Sequence, residues 1–384
     1  MATDRGHVIV GLSGGVDSAV SAWLLREQGY RVSGLFMVNW TEDEDAYCTA
    51  ADDFQQARSV AEELDIRLHR VDFSREYHQR VFQHFLDEYD KGRTPNPDLL
   101  CNREIKFRPF REHALRLGAD YVATGHYARI RNDEDGPRLL RAHSHDKDQT
   151  YFLALVEREQ LQRVLFPIGD LSKPQVREIA RKAGLPNHQR KDSTGICFIG
   201  ERPFSDFLRN YLKPNPGPII NEQGQCIGQH QGLSFYTLGQ RRGLGIGGQA
   251  GAGEAPWYVI GKHLESNTLE VSQLTEHPKL MSTRLITRGF SWIRQPKRLP
   301  DKLHCRIRHR QTPQACAVHR HGDGVQVQFE SPQRAVAPGQ YCVLYDGEEC
   351  LGGGEIDVAW RMPEQDTGCD SMPVQNAITG RRAT

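Results

Sequence analysis

Two features of the chain have residue types and spacings suited to chemistry: a glycine- and hydroxyl-rich loop, and two cysteines set among charges. The loop reads Gly11-Leu12-Ser13-Gly14-Gly15-Val16-Asp17-Ser18. It follows the apolar run 7–12 and opens a helix-like segment, 18–28. Glycines let the backbone turn tightly and approach an anion. The N-terminus of a helix presents N–H groups and partial positive charge to it. The hydroxyls of Ser13 and Ser18 add donors. No Gly-Lys-Ser/Thr closes the loop, so it is not a Walker A motif. The pattern therefore reads as a phosphate-holding loop of another kind. Cys101 follows Pro95-Asn96-Pro97, a turn that cannot continue a preceding helix. It then stands near a helix start, with Arg103 and Lys106 close by, and both features favour a thiolate. Asp98 is placed to cap that helix or to shuttle a proton. Cys197 is bracketed by Gly195 and Gly200, with Lys191 and Arg202 supplying positive charge. On these residues alone, each cysteine is open between a packing role and a reactive one.

SGGVDS at 13–18 resembles the mark of the PP-loop ATP pyrophosphatases. SGGVDS, NPDLLCNREIKF (96–107) and STGICFIGERPF (193–204), in this order, closely resemble the bacterial tRNA 2-thiouridylase family over nearly the whole chain. The resemblance implies an α/β fold of the adenine nucleotide alpha hydrolase kind, then a small central domain and an antiparallel β-barrel. It implies ATP and Mg²⁺, with Gly11, Leu12, Ser13, Gly14, Gly15, Val16, Asp17 and Ser18 around the phosphates. Asp17 is then either a Mg²⁺ neighbour or a helix cap. Met37 and Gly125 are expected to touch adenosine. The implied activity is 2-thiolation of the wobble uridine of tRNAs for Lys, Glu and Gln. The uridine C2 oxygen is adenylated, and sulfur comes from a persulfide on Cys197. Cys101 is the implied nucleophile, closing a transient Cys101–Cys197 disulfide, and Asp98 is the candidate general acid/base.

The same resemblance gives a base pocket at Asn96, Pro97 and Asp98, with His126 beside it. It assigns further tRNA contacts to Lys147, Asp148 and Gln149, and to Arg308, His309 and Gln340. The sulfur must come from a partner, a persulfide relay protein or a cysteine desulfurase. Two other readings remain: a PP-loop ligase that amidates a small molecule, and a non-catalytic tRNA-binding protein with a relic loop.

These residues need elements to position them. Strand-like runs at 7–12, 32–38, 68–73 and 119–124 alternate with helical periodicity at 18–28, 53–64 and 75–91. Ser172 and Gln175 form a capping-box pattern, and Gly184 with Pro186 ends that helix. This rhythm predicts a doubly wound parallel sheet over 1–205. Residues 206–279 are glycine-rich with short strands, a small central domain. Over 280–361 the pattern becomes period two: Leu303, Cys305 and Ile307 alternate with His304, Arg306 and Arg308. That predicts the antiparallel barrel, with one face wet. The formal GxGxxG at 243–248 follows Arg241-Arg242 rather than a strand, so it reads as a flexible loop. Residues 362–384 carry little apolar material and are expected to be a mobile tail.

The chain has 384 residues, with 49 Lys+Arg against 49 Asp+Glu. The balance argues against a DNA coat or an acidic tail, but leaves local patches open. One such patch is predicted at 284–310, where nine basic residues face the single acid Asp301, interleaved with Trp292 and His309. The acidic run 42–45 reads as a solvated loop. No apolar run reaches the ~18 residues of a membrane span, and the first residues lack a signal-peptide pattern. Nine widely spaced cysteines, with no CxxC pair, fit a reduced cytoplasmic protein without a zinc site. Seven of them are expected to pack as small buried hydrophobes.

Overall fold

The computed structural model describes residues 5–40, 44–192, 204–247 and 255–361. Cys197, its pairing with Cys101, and 362–384 lie outside these residues. The first unit contains β1 (His7–Gly11), β2 (Arg31–Val38), β3 (Arg67–Asp72), β4 (Tyr121–Ala123), β5 (Ala128–Asp133), β6 (Gly136–Arg141) and β7 (Val164–Leu165). Five of these form a parallel sheet in the order β3-β2-β1-β4-β7. Val8, Ile9 and Val10 are all fully buried, as expected for a central parallel strand covered on both faces. Ile9 and Leu35 pack into one apolar cluster, Val8, Val10 and Phe36 into the other. The strand order reverses between β1 and β4. The phosphate loop follows β1 and Gly125 follows β4, so both lie at the switch point where such sheets hold ligands.

The helices that matter for the site are α1 (Val16–Glu27), α2 (Glu44–Glu63), α3 (74–90), α4 (97–116) and α5 (Lys173–Lys182). In α3 the repeat Tyr77, Val81, Phe85, Tyr89 is buried throughout, which is why that helix is readable from its periodicity. Helix α4 is less regular: Asn102–Phe110 is a π-helical stretch containing Pro109. Proline lacks an N–H and clashes with the preceding turn, and wider i→i+5 bonding accommodates it.

The central unit pairs β8 (Gly217–Ile220), β9 (Cys226–His230), β10 (Tyr258–His263) and β11 (Thr268–Ser272) in the order β10-β11-β8-β9. The described part of the GxGxxG segment, 243–247, packs onto it, which a flexible loop would not do. Leu244 and Ile246 are buried with Ile219, Val259 and Val271, and positive φ at Gly243 and Gly245 turns the chain between them. Cys226 departs from the packing expectation, because it is exposed.

The last unit comprises β12 (Met281–Trp292), β13 (Leu303–Arg306), β14 (Gln314–His321), β15 (Gly324–Arg334), β16 (Tyr341–Asp346) and β17 (Glu349–Arg361). They run β12-β15-β14-β13-β16-β17, and β17 pairs again with β12 to close a barrel. The period-two reading holds at Leu303, Cys305, Val325 and Val327, all fully buried. It fails at Arg306, which is only 3% exposed. The β5–β6 hairpin leaves the first unit and joins the barrel, pairing Leu139 and Leu140 with Cys350 and Glu349 of β17. Its polar residues Arg129, Arg131, Asn132 and Asp133 conceal it from a hydrophobic-pattern reading.

Candidate active site

The phosphate loop has its expected shape. Gly14 has φ +78°, and a Cβ there would lie 2.5 Å from the Asp53 carbonyl. Gly15 is the N-cap of α1 and no side chain caps that end, so Asp17 is not the cap. Ser18 is buried and donates to the Gly15 carbonyl at 3.0 Å, while Ser13 Oγ lies 3.2 Å from Ser18 Oγ. Gly125 backs the loop so closely that a Cβ would come within 2.8 Å of Ser18 N. This cradle of backbone and hydroxyl groups fits a polyphosphate.

Asp17 instead faces sideways. Lys173 Nζ donates to its two oxygens at 2.7 and 2.9 Å, and the Tyr127 hydroxyl donates at 2.8 Å. Burial, then the Asp17 charge, pushes the Tyr127 hydroxyl far above its ordinary pKa, so it stays a donor. Lys173 also reaches Asp192 Oδ1 at 2.7 Å, and Asp192 is held by Arg177 at 2.7 Å and Lys147 at 3.5 Å. Burial alone would raise the Asp192 pKa, but these cations, Lys173 foremost, lower it below the ordinary carboxylate value. Asn187 Nδ2 and Arg190 Nη1 donate to the Gly14 carbonyl at 2.9 and 3.1 Å, and Arg190 also pairs with Asp53. Thus the chain just before the 193–203 segment is tied to the phosphate loop. Sequence reading missed Tyr127, Lys173, Arg177, Asn187, Arg190 and Asp192. One signal was available: Lys173 follows the Ser172 cap directly, and a cation in a first helical turn opposes the dipole unless an anion holds it.

Cys101 lies in the first turns of α4, fully buried beside Leu99, Leu100 and Ile105. The cap of α4 is Asn96, whose Oδ1 accepts from the Asp98 N–H at 3.2 Å, so Asp98 is not the cap. Pro97 occupies the first helical turn. Arg103 donates to Glu104 at 2.7 Å. Thr94, before the turn, donates its N–H to the Pro338 carbonyl at 2.9 Å and accepts from Gln340 Nε2 at 2.8 Å on its own carbonyl. Its hydroxyl meets Thr237 at 3.3 Å, so all three units meet at the base of this turn.

Helix α4 then runs toward β1 and the glycine loop that follows it. A Cβ on Gly11 would lie 3.3 Å from Phe110, and the Phe107 ring is 6.1 Å from His126. His126 Nδ1 bonds Thr124 Oγ1 at 2.7 Å, and its pKa lies well below 6.5 through burial and then the Lys106 charge. It is therefore a neutral imidazole at neutral pH. Met37 is half-buried near the carboxyl end of β2, on the Ile9 and Leu35 side.

The proposed RNA-facing residues divide. Arg308 and Arg310 are exposed, as are Lys297, Arg298 and Lys302. Arg288, Arg294 and Arg306 do not belong to a free patch. They pair with Glu88 and Glu355, with Glu349, and with Asp148 respectively. The His309 ring packs at a tilt on Phe152, centroids 4.3 Å apart, and Trp292 packs on Phe290. Asp148 has a side chain with no exposed surface, and Gln149 Oε1 accepts from the Tyr127 N–H at 2.9 Å.

Comparison with known proteins agrees with this layout. A family model described as "tRNA methyl transferase HUP domain" matches residues 6–201. Models described as "tRNA methyl transferase PRC-barrel domain" and "Aminomethyltransferase beta-barrel domain" match 205–273 and 282–356. The tRNA-specific 2-thiouridylase MnmA of Pseudomonas fluorescens (strain SBW25) is 53% identical over 366 residues, covering 94% of this chain and 98% of that protein. The protein of the same name from Pseudomonas syringae pv. syringae (strain B728a) is 54% identical over 356 residues, covering 92% and 94%. Among solved structures, a 4-thiouridine synthetase–RNA complex with bound ATP shows a weak, partial likeness. Its TM-score is 0.34 at 18% identity, over 53% of this chain and 49% of that one.

Proposed function

The chain belongs to the family of tRNA-specific 2-thiouridylases, and we propose that it exchanges the C2 oxygen of a wobble uridine for sulfur in tRNAs for Lys, Glu and Gln. The observation that carries this reading is α4: one helix bears Cys101 and reaches both Gly11 of the phosphate loop and His126. From Cys101 to Phe107 is at most roughly 9 Å of helix. A base bound over Asn96, Pro97 and Asp98 would then have a nucleotide on one side and a thiol on the other.

The C2 oxygen attacks the α-phosphorus of ATP, and pyrophosphate leaves. The terminal sulfur of a Cys197 persulfide attacks C2 and expels AMP. Cys101 attacks the Cys197 sulfur, releasing the 2-thio base and closing a disulfide, which an external dithiol reduces. Asp98 moves the proton. Neutral His126 holds the base, and Met37 and Gly125 border the adenosine. Arg308, His309 and Gln340 meet the tRNA. The persulfide comes from a relay protein or a cysteine desulfurase.

Mg²⁺ would arrive on the ATP phosphates, the usual mode for this ion. The residues do not fit a separate protein cage: Asp17 is shared by Lys173 and Tyr127, and no group of three His, Cys, Asp or Glu gathers among the described residues. The methyl-transfer wording of the domain descriptions is not favoured, since methyl transfer requires no polyphosphate cradle.

The test supplies purified chain with tRNA, ATP and a persulfide donor. Pyrophosphate and 2-thiouridine form together, and Cys101→Ser and Cys197→Ser each abolish the thiolated base. Pyrophosphate release without tRNA would favour a small-molecule ligase. Full thiolation by either variant would overturn the mechanism.

A further inference from the structure

Lys147, Asp148 and Gln149 are consecutive, yet each reaches a different part of the molecule. Lys147 Nζ meets Asp192 at 3.5 Å. Gln149 and Tyr127 bond reciprocally through Tyr127 N–H to Gln149 Oε1 and Gln149 N–H to the Tyr127 carbonyl, both 2.9 Å. Between these ends the contacts form a ring: Lys147 to Asp192, to Lys173, to Asp17 of the phosphate loop, to Tyr127, to Gln149. Asp148 turns the other way, into the barrel. Its carboxylate accepts from Arg306 Nη1 at 2.7 Å, Thr150 Oγ1 at 2.9 Å and Ala142 N at 3.2 Å. Its carbonyl accepts from His309 Nε2 at 3.1 Å. The Asp148 carboxylate is thus enclosed and fully engaged within the protein.

We propose that this triplet is a clasp that couples occupation of barrel segment 306–310 to the geometry of the phosphate loop, with Asp148 and Gln149 as positioning residues. The proposal rests on the reading of the chain as a tRNA- and ATP-binding enzyme. RNA seated on Arg308 and His309 loads two of the groups that hold Asp148, Arg306 and His309. The ring carries that load to Asp17. Coupling of this kind is reciprocal, so tRNA tightens nucleotide binding by the same factor as nucleotide tightens tRNA binding.

The test titrates a non-hydrolysable ATP analogue into the intact chain, with and without saturating tRNA, for the wild type, Asp148→Asn and Gln149→Ala. The readout is the ratio of the two dissociation constants. We expect a ratio of about five or more in the wild type, reduced at least two-fold in each variant. If Asp148→Asn fails to fold, Gln149→Ala, which removes one half-buried amide, carries the test. A wild-type ratio near one with both ligands bound overturns the clasp and leaves the function standing. A full ratio in Gln149→Ala, with weaker tRNA binding, also overturns it in favour of direct contact. Failure of the wild type to bind either ligand overturns the functional reading instead.

Discussion

His126 lies just beyond β4, bonded to Thr124 and 6.1 Å from the Phe107 ring of α4, and its ring is neutral. The lowered pKa carries a sign. As pH falls below about 6.5, the unfolded chain takes a proton on this residue that the folded chain refuses, so stability declines with acid. His309 and His230, also lowered by burial, act in the same direction. Denaturation midpoints measured from pH 8 to 5 should fall, and His126→Gln should flatten part of that fall. An unchanged slope in the variant would place the titration elsewhere. Lys173 is the other decisive residue. Lys173→Met leaves the Asp17 carboxylate beside the cradle without its ammonium, and ATP affinity in a direct titration should fall by about ten-fold, roughly 1.4 kcal/mol. Unaltered affinity would remove Lys173 from the phosphate site. The loop itself was legible because glycine, hydroxyl and helix start are contiguous. The partners of Asp17 were not, because they stand 110 and 156 positions away and share no motif with it.

The elements hold these residues through ion pairs that composition averages conceal. Arg93, between α3 and the Pro95-Asn96-Pro97 turn, is 8% exposed. Its guanidinium reaches Glu88 at 2.5 Å, Glu355 at 2.9 Å and Asp357 at 3.0 Å, and donates to the Ile356 carbonyl at 2.7 Å. It thereby fixes the end of α3, and the turn after it, against β17. Arg288 reaches Glu88 and Glu355 as well, but its side chain is 47% exposed. Removing one partner of a buried set costs about 3–5 kcal/mol, whereas an exposed pair is worth about 1 kcal/mol or less. Arg93→Met should therefore lower stability in denaturant titrations several-fold more than Arg288→Met. Equal effects would show that the network is not organised around Arg93. Helix α3 was readable because its apolar residues recur every fourth position. The β5–β6 hairpin was not, because its stability comes from pairing with a strand some two hundred positions later.

At the scale of the molecule, a formal charge of zero hides both a cationic surface and a set of internal pairs. The stretch 284–310 looked like one basic patch of nine residues in the sequence. The fold pairs Arg288, Arg294 and Arg306 with acids that are distant along the chain, and lays Arg284 over Trp360. Lys297, Arg298, Lys302, Arg308 and Arg310 remain exposed to meet phosphates. Each phosphate neutralised contributes roughly 0.7–0.9 to the slope of log affinity against log salt. These five can therefore supply a slope of magnitude about 4.5 at most, not the six or more that nine contacts would give. Filter-binding of tRNA across a salt series should show Arg310→Ala or Lys302→Ala reducing the slope by up to about one. Arg294→Gln should leave the slope unchanged while lowering stability, because it strips the close partner at 2.6 Å from buried Glu349. If Arg294→Gln instead flattened the salt response as much as Arg310→Ala, the internal pairing would not survive tRNA binding, and the whole stretch would act as one surface.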